Sequence, residues 1–446
     1  MINIRTLAGL ALIWLLSGCI QSDPYRAHRD PQPDANGVIN EESSSEKHGR
    51  EIAEPVECDT AKGRCVNFVE FDELGNAESR TQFNGALLAA KNVAESSGVV
   101  IVYIHGWHHN AKPDDRDIKQ FKTLIDDVKG RATGIYIGWR GESIDSRSAF
   151  GWLPSYAGTF WGRKDTAHDI GNAGAVAEFI RTLSDIRSHN EKSRLLIIGH
   201  SFGGALLYSA MSDAIAEQIR RDCQRSENFT PIADLVILVN PAFEAMRVRP
   251  LYSFARSFEY PLGQPPRLFI VTTKADFPTR EIFKWGRHLG TLFKRYPADA
   301  DKAPDVTAIG HYKPFITHQL QAVSSCNPDN QAFSLAQPDV PAKMCIKDQL
   351  ELTRCDKPGD CSEAVQEDHY ISRGQAGNYI PHRFPLYNIR TTEKVIPNHT
   401  DIWEQPMKRL MLALIGAVED APDRPVIMGV APTNCGTPTG EVLPAI

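Results

Sequence analysis

The chain has 446 residues, 42% of them hydrophobic and 23% charged, which fits a folded globular protein and excludes a fibrous or wholly disordered one. Lys and Arg number 49 against 55 Asp and Glu, a net charge of -6, so no basic excess exists to neutralise nucleic-acid phosphates. The one apolar run long enough for a membrane lies at the extreme N-terminus, which excludes a polytopic membrane protein.

The first residues, MINIRTLAGLALIWLLSGC, combine Arg5, an apolar stretch over 7–16 and the small pair Ser17-Gly18, the make-up of an export signal. Leu16-Ser17-Gly18-Cys19 resembles the bacterial lipobox. That resemblance implies that residues 1–18 are removed and that Cys19 is acylated, palmitate included. The chain is then held on a membrane without a transmembrane helix. Ile20, rather than Asp, follows the Cys, which resembles the outer-membrane class of Gram-negative lipoproteins. An uncleaved anchor or a plain secretory signal is the alternative. Residues 19–57 are polar and aperiodic, and are expected to be a flexible tether.

Nine Cys less Cys19 leaves Cys58, Cys65, Cys223, Cys326, Cys345, Cys355, Cys361 and Cys435. An even number outside the cytoplasm points to disulfides, with Cys58–Cys65 and Cys355–Cys361 near enough for local loops. Their spacings do not match the short pairs of zinc sites.

Downstream, strand-like and helix-like segments alternate. VNFVEF over 66–71 reads as a strand, followed by a turn at Gly75-Asn76. Residues 83–96 and 117–129 carry apolar side chains at helical spacing, and VVIVYI over 99–104 is a continuous β-branched run, the mark of a strand buried on both faces. Further strands are expected over 134–139, 195–199, 235–239, 268–272 and 387–396, and further helices over 167–186, 203–221 and 402–418. This alternation predicts an α/β fold, a mainly parallel sheet with helices on both faces. Residues 281–383 break the rhythm and carry four of the eight Cys. They are expected to be a disulfide-stapled insertion or cap subdomain within a main domain of 58–280 and 384–446. Its length far exceeds ordinary connections, and Phe283, Trp285, Tyr312, Phe315 and Tyr370 are candidates to line a pocket or to fill its small core.

Gly199-His200-Ser201-Phe202-Gly203 fits G-x-S-x-G, directly after an apolar strand and directly before a helical segment. Strand, sharp turn and helix are the setting of a nucleophile elbow. The turn lifts the Ser201 hydroxyl above the sheet, and Gly two residues either side avoids a collision across it. A helix N-terminus there favours developing negative charge.

GHSFGG after LLII, together with IVYIHGWHHN, resembles the α/β-hydrolase superfamily over about 99–418. FWGRKDTAHDIG and VNPAFEA are similar to parts of its exported lipoprotein members. The resemblance implies an α/β-hydrolase fold and a Ser, acid, His order. It assigns Ser201 as nucleophile and His399, in IPNHTDIW after the last strand, as base. His311 and His318 are rivals inside the insertion. For the acid it favours Asp276, after the strand over 268–272. Glu244, after the preceding strand, is the alternative, and Asp401 lies close to His399 in the chain. The backbone amides of Trp107 and Phe202 would form the oxyanion hole. His105, His108 and His109 lie on a post-strand loop, where no helix aligns them for a metal. The expectation is a serine hydrolase acting on a small-molecule or lipid ester, without cofactor or metal, anchored through Cys19. Amidase, thioesterase or acyltransferase chemistry, or a non-catalytic surface scaffold, stays open.

Overall fold

Runs of β-branched and aromatic residues that are apolar on both faces seek a place inside a sheet covered on both sides. The computed structural model describes residues 24–28, 30, 52–140, 153–224, 231–256, 265–298, 301–326, 343–347, 349–357, 360–364 and 384–420. Its strands are β1 (Val56–Asp59), β2 (Arg64–Phe71), β3 (Val99–Ile104), β4 (Ala132–Trp139), β5 (Arg194–His200), β6 (Leu235–Val239), β7 (Leu268–Thr273), β8 (His318–Ala322), β9 (Lys343–Ile346), β10 (Leu350–Lys357), β11 (Asp360–Ala364) and β12 (Leu386–Thr391). They form one sheet in the order β1-β2-β4-β3-β5-β6-β7-β12-β8-β10-β11, with β9 on β10. From β2 to β8 every neighbouring pair is parallel, and β1 and β9 to β11 pair antiparallel at the two ends.

The helices are α1 (Arg80–Glu95), α2 (Arg116–Asp127), α3 (Leu153–Asn172), α4 (Ala175–Ser188), α5 (Phe202–Gln224), α6 (Ala245–Arg256), α7 (Phe283–Gly290), α8 (Lys302–Val306) and α9 (Gln405–Glu419). They cover both faces of the sheet. On one face Phe83, Ile170, Phe179 and Leu206 pack with Val102, Ile104, Ile197 and Leu238. On the other, Phe121, Leu124, Leu410 and Leu414 pack with Ile101, Tyr103, Ile198 and Ile237. The alternation of inward faces along each strand divides these two cores. A mixed α/β fold with a large, mostly parallel sheet is therefore what the chain adopts. Among the described residues no helix is long and apolar enough to cross a membrane.

The structure departs from the sequence expectations in four places. The helix expected over 167–186 is two helices, α3 and α4, parted at Gly174, whose φ of 97° is left-handed. The last strand stops at Thr391, and Val395 and Ile396 enter the core from a turn instead. Part of the expected tether is docked. Arg26 is buried with its guanidinium 3.5 Å from the Phe68 ring centroid and paired with Glu57 at 2.6 Å, and the backbone amides of Tyr25 and Arg26 donate to the Glu70 carboxylate. Burial raises the Glu70 pKa, while those amides and Gln82 pull against it.

The fourth departure is the segment 281–383. Its strand β8 lies parallel to β12, β10 pairs with β8, and Leu320, Met344, Ile346 and Leu352 share a core with Ile389 and Phe269. The described part thus extends the main sheet, because its edge strand β12 offers free backbone groups to pair with. Disulfides join Cys326 to Cys345 and Cys58 to Cys65, and Cys355 is disulfide-bonded as well. Residues 1–19, Tyr370, Cys435 and the side chains of Cys223 and Cys361 lie outside the described ones.

Candidate active site

β5 ends at His200 and α5 begins at Phe202, so the chain turns at Ser201 alone. Ser201 has φ 54°, a left-handed conformation that costs a non-glycine residue about 1–3 kcal/mol. The surroundings hold it there. Its amide donates to the Val239 carbonyl at 3.0 Å, and its own carbonyl accepts from Ala242 at 3.1 Å, tying the turn to the end of β6. A Cβ added at Gly203 would collide with the carbonyl oxygens of Ile104 and His105, and one at Gly199 would meet the Gly203 oxygen at 2.8 Å. Gly203 is required because the turn is pressed against the end of β3, and Gly199 because the start of α5 folds back over it.

Ser201 Oγ lies 2.7 Å from His399 Nε2, and His399 Nδ1 lies 2.9 Å from Asp276 Oδ1. All three side chains are buried. His399 comes from the loop between β12 and α9, and Asp276 from just beyond β7. The Thr279 amide also donates to Asp276 Oδ1, at 3.0 Å. Burial pushes the Asp276 carboxyl up, but the His399 imidazole beside it, its hydrogen bond, His311 and Thr279 together hold it below the usual carboxylate range. Asp276 is therefore ionised and accepts the His399 Nδ1–H. In the neutral ring that arrangement leaves Nε2 to accept the Ser201 hydroxyl.

Two residues that sequence reasoning passed over fix His399. Its carbonyl accepts from His200 Nε2 at 2.9 Å and from Asn240 Nδ2 at 3.0 Å. Asn240 Oδ1 in turn accepts the Thr273 amide at 3.1 Å, so the same side chain binds the end of β7 to the His399 loop. Burial, and then the neighbouring His399, lower the His200 pKa to about 4. The only sequence signal for either residue is its place at the end of a buried strand.

The other candidates are placed elsewhere. Glu244 pairs with Lys164 at 2.7 Å, Arg247 at 3.0 Å and Arg287 at 3.1 Å. Burial pushes its pKa up, but Lys164 and Arg287 outweigh that and hold it at about 2. Asp401 accepts from Asn398 and pairs with Arg116 at 3.3 Å. His311 bonds Thr279 Oγ1 at 2.9 Å, and His318 stacks on Tyr387 inside the sheet. Of the aromatics expected to line a pocket, Phe283 and Phe315 are in the main core, Tyr312 packs on Phe315, and Trp285 is 71% exposed.

The His105-Gly106 turn closes on Ser201. A Cβ on Gly106 would stand 2.9 Å from the Ser201 Cβ and 2.8 Å from His200 Nδ1. Trp107 follows that turn as Phe202 follows Ser201, and their rings are 6.3 Å apart. His105 is buried, and burial above all brings its pKa to about 4. Its Nε2 accepts the Trp139 amide. His109 Nδ1 lies 3.0 Å from Asp115, the residue whose carboxylate caps α2. Among the described residues no group of three or more His, Cys, Asp or Glu converges as metal ligands would.

No family model matches the chain, and no curated protein matches it either. Among solved structures it is similar to a lipase-esterase related protein from Clostridium acetobutylicum ATCC 824, at 16% identity and a TM-score of 0.18. The likeness covers 36% of this chain and 48% of that one, so the chain spans about half the length of that neighbour. A likeness this slight fixes neither a fold family nor an activity.

His109 provides a pH test of the loop that carries Trp107. Burial opposes its charge, but Asp117 and Asp115 raise its pKa from 6.5 to about 9. A raised pKa in the folded state means that the stabilisation is fully present below the unfolded value and is lost as pH rises through the folded one. Denaturant unfolding is expected to show wild-type stability falling by on the order of 3 kcal/mol between about pH 6 and pH 10 relative to His109→Gln. Parallel pH profiles for the two proteins would contradict the pairing.

Proposed function

We propose that the chain is a serine hydrolase of α/β-hydrolase fold that cleaves carboxylic esters through an acyl-enzyme. The observation that carries this reading is the unbroken series Ser201–His399–Asp276, buried and closed at 2.7 and 2.9 Å, on a left-handed turn between strand and helix.

In this reading the Ser201 oxygen attacks the ester carbonyl carbon while His399 Nε2 takes the hydroxyl proton. Asp276 keeps His399 in the tautomer that leaves Nε2 free and stabilises the imidazolium. The backbone amides of Trp107 and Phe202 receive the oxyanion of the tetrahedral intermediate. Donors already in place there favour the transition state over the ground state. Collapse breaks the ester C–O bond, and His399 returns its proton to the departing alcohol. Water, deprotonated by His399, then attacks the acyl-Ser201 carbonyl, and Ser201 leaves with the proton. His200 and Asn240 hold the His399 backbone, so the imidazole need not be ordered at each turnover. No metal or organic cofactor takes part.

The place of action in this proposal is the outer membrane of a Gram-negative cell, with the chain exported and anchored by acylated Cys19. The support is the sequence 16–19 for the anchor and Ile20 for the outer membrane, and palmitate labelling tests the anchor. Wild type should incorporate label and Cys19→Ser should not. Equal labelling would overturn the anchor.

Kinetics on a short activated ester test the chemistry. Ser201→Ala is expected to lose about four to six orders of magnitude in kcat with melting nearly unchanged. Asp276→Asn should lose about three to four orders, nearly all in kcat, because the amide keeps the shape and loses the tautomer control. Glu244→Gln, which removes a charge from the Lys164 network, should shift melting and leave turnover within about tenfold. A Ser201→Ala protein that keeps more than about a tenth of the rate would sink the reading.

A further inference from the structure

Of the eight exposed large apolar side chains among the described residues, five fall within one stretch, and their exposures are Phe277 55%, Trp285 71%, Leu289 67%, Leu292 68% and Phe293 99%. Trp285 and Leu289 stand at i and i+4 on α7, and Leu292 and Phe293 follow in the turn past its end. The opposite side is sealed by Phe283, which is fully buried. An apolar stripe of this size facing water marks a contact site, not a fold requirement.

The same stretch is basic. Between Phe277 and Tyr296 stand Arg280, Lys284, Arg287, Lys294 and Arg295, of which Arg280 pairs with Glu281, Arg287 with Glu244 and Asp305, and Lys294 with Asp305, in a chain whose net charge is -6. Lys284 and Arg295 are exposed, and no carboxylate pairs with either among the described residues. We propose that this face docks on the surface of an anionic lipid bilayer. Leu and Phe would enter the acyl boundary, Trp285 would sit at the headgroup level, and Lys284 and Arg295 would meet lipid phosphates. The side chains protrude, Phe293 almost wholly, and a fluid phase accommodates protruding side chains without a shaped pocket. The stripe is joined to the site through Asp276, Phe277 and the π-helix Pro278–Ile282, whose Thr279 bonds both Asp276 and His311. Docking here brings that end of the molecule to the lipid. The proposal does not rest on the hydrolase reading and is testable in a Ser201→Ala chain.

The test uses the chain over 20–446, so that neither an acyl group nor the apolar run over 7–16 contributes. Its partition onto vesicles of phosphatidylcholine with about a third phosphatidylglycerol is compared with that of a triple variant, Trp285→Ser, Leu289→Ser and Phe293→Ser. The expected result is at least about tenfold weaker binding of the triple variant with unchanged melting, and similarly weaker binding of the parent to pure phosphatidylcholine at low salt. A second measurement uses vesicles with brominated acyl chains, which should quench the parent's Trp emission more than that of Trp285→Phe. Equal partitioning of parent and triple variant, or no difference in quenching, would overturn the proposal. So would a parent dimer that the triple variant dissociates, since the face would then be covered by a second copy.

Discussion

The close approach of the Ser201 turn to the end of β3 is the constraint on which the rest of the site depends. β3 and β5 run parallel in register, with Ile104 opposite Gly199. The chain then reverses within one residue and sends α5 back over the sheet. That reversal is possible only if Gly203 sits against the carbonyls of Ile104 and His105 and if Gly106 sits against Ser201. A side chain at either glycine would part the two loops. The left-handed Ser201 backbone stores strain of about 1–3 kcal/mol, and hydrogen bonds to Val239 and Ala242 on the β6 side offset it. Two strand ends on opposite sides of β5 therefore clamp one residue.

The electrostatics follow from that clamp. Asp276 is fully buried, and a lone carboxylate there would be costly. His399 and the Thr279 amide compensate it, with the basic ring of His399 held at one distance. The neighbouring imidazoles of His105 and His200 are both brought to about 4, chiefly by burial, so they stay neutral and serve as hydrogen-bonding groups. A charge on His200 would repel the imidazolium that the proposed reaction forms on His399. The acidic residue one strand earlier, Glu244, has a different use. It is the centre of a buried network that binds α3, α6 and α7 through Lys164, Arg247 and Arg287.

Much of this was legible in the sequence, and the rest was hidden for physical reasons. The strand expected over 235–239 has the same ends in the fold, because LVILV holds no polar residue and leaves the pattern no choice. Ser201, Asp276 and His399 stand out by position relative to strands, and the fold brings them together. Asp276 and Glu244 could not be told apart by order alone; the bond from His399 to Asp276 and the pairing of Glu244 with Lys164 and Arg287 separate them. Arg26 reads as solvated in a polar segment, yet it is buried because Phe68, Glu57 and the Ala111 carbonyl together receive it. The strands β8 to β10 read as an irregular insertion because β8 joins the sheet through the distant β12 and their residues are mixed in polarity. His200 and Asn240 act through a backbone carbonyl, and no side-chain pattern announces that.

The central claim is that Ser201 is a nucleophile activated by His399. Treating the folded chain with a fluorophosphonate and mapping the adduct by peptide mass spectrometry tests it most directly. The account predicts one stoichiometric phosphonyl adduct, on Ser201, that forms in the wild type and is lost or strongly slowed in His399→Ala. An unmodified Ser201, an adduct on another residue, or equal labelling without His399 would contradict it.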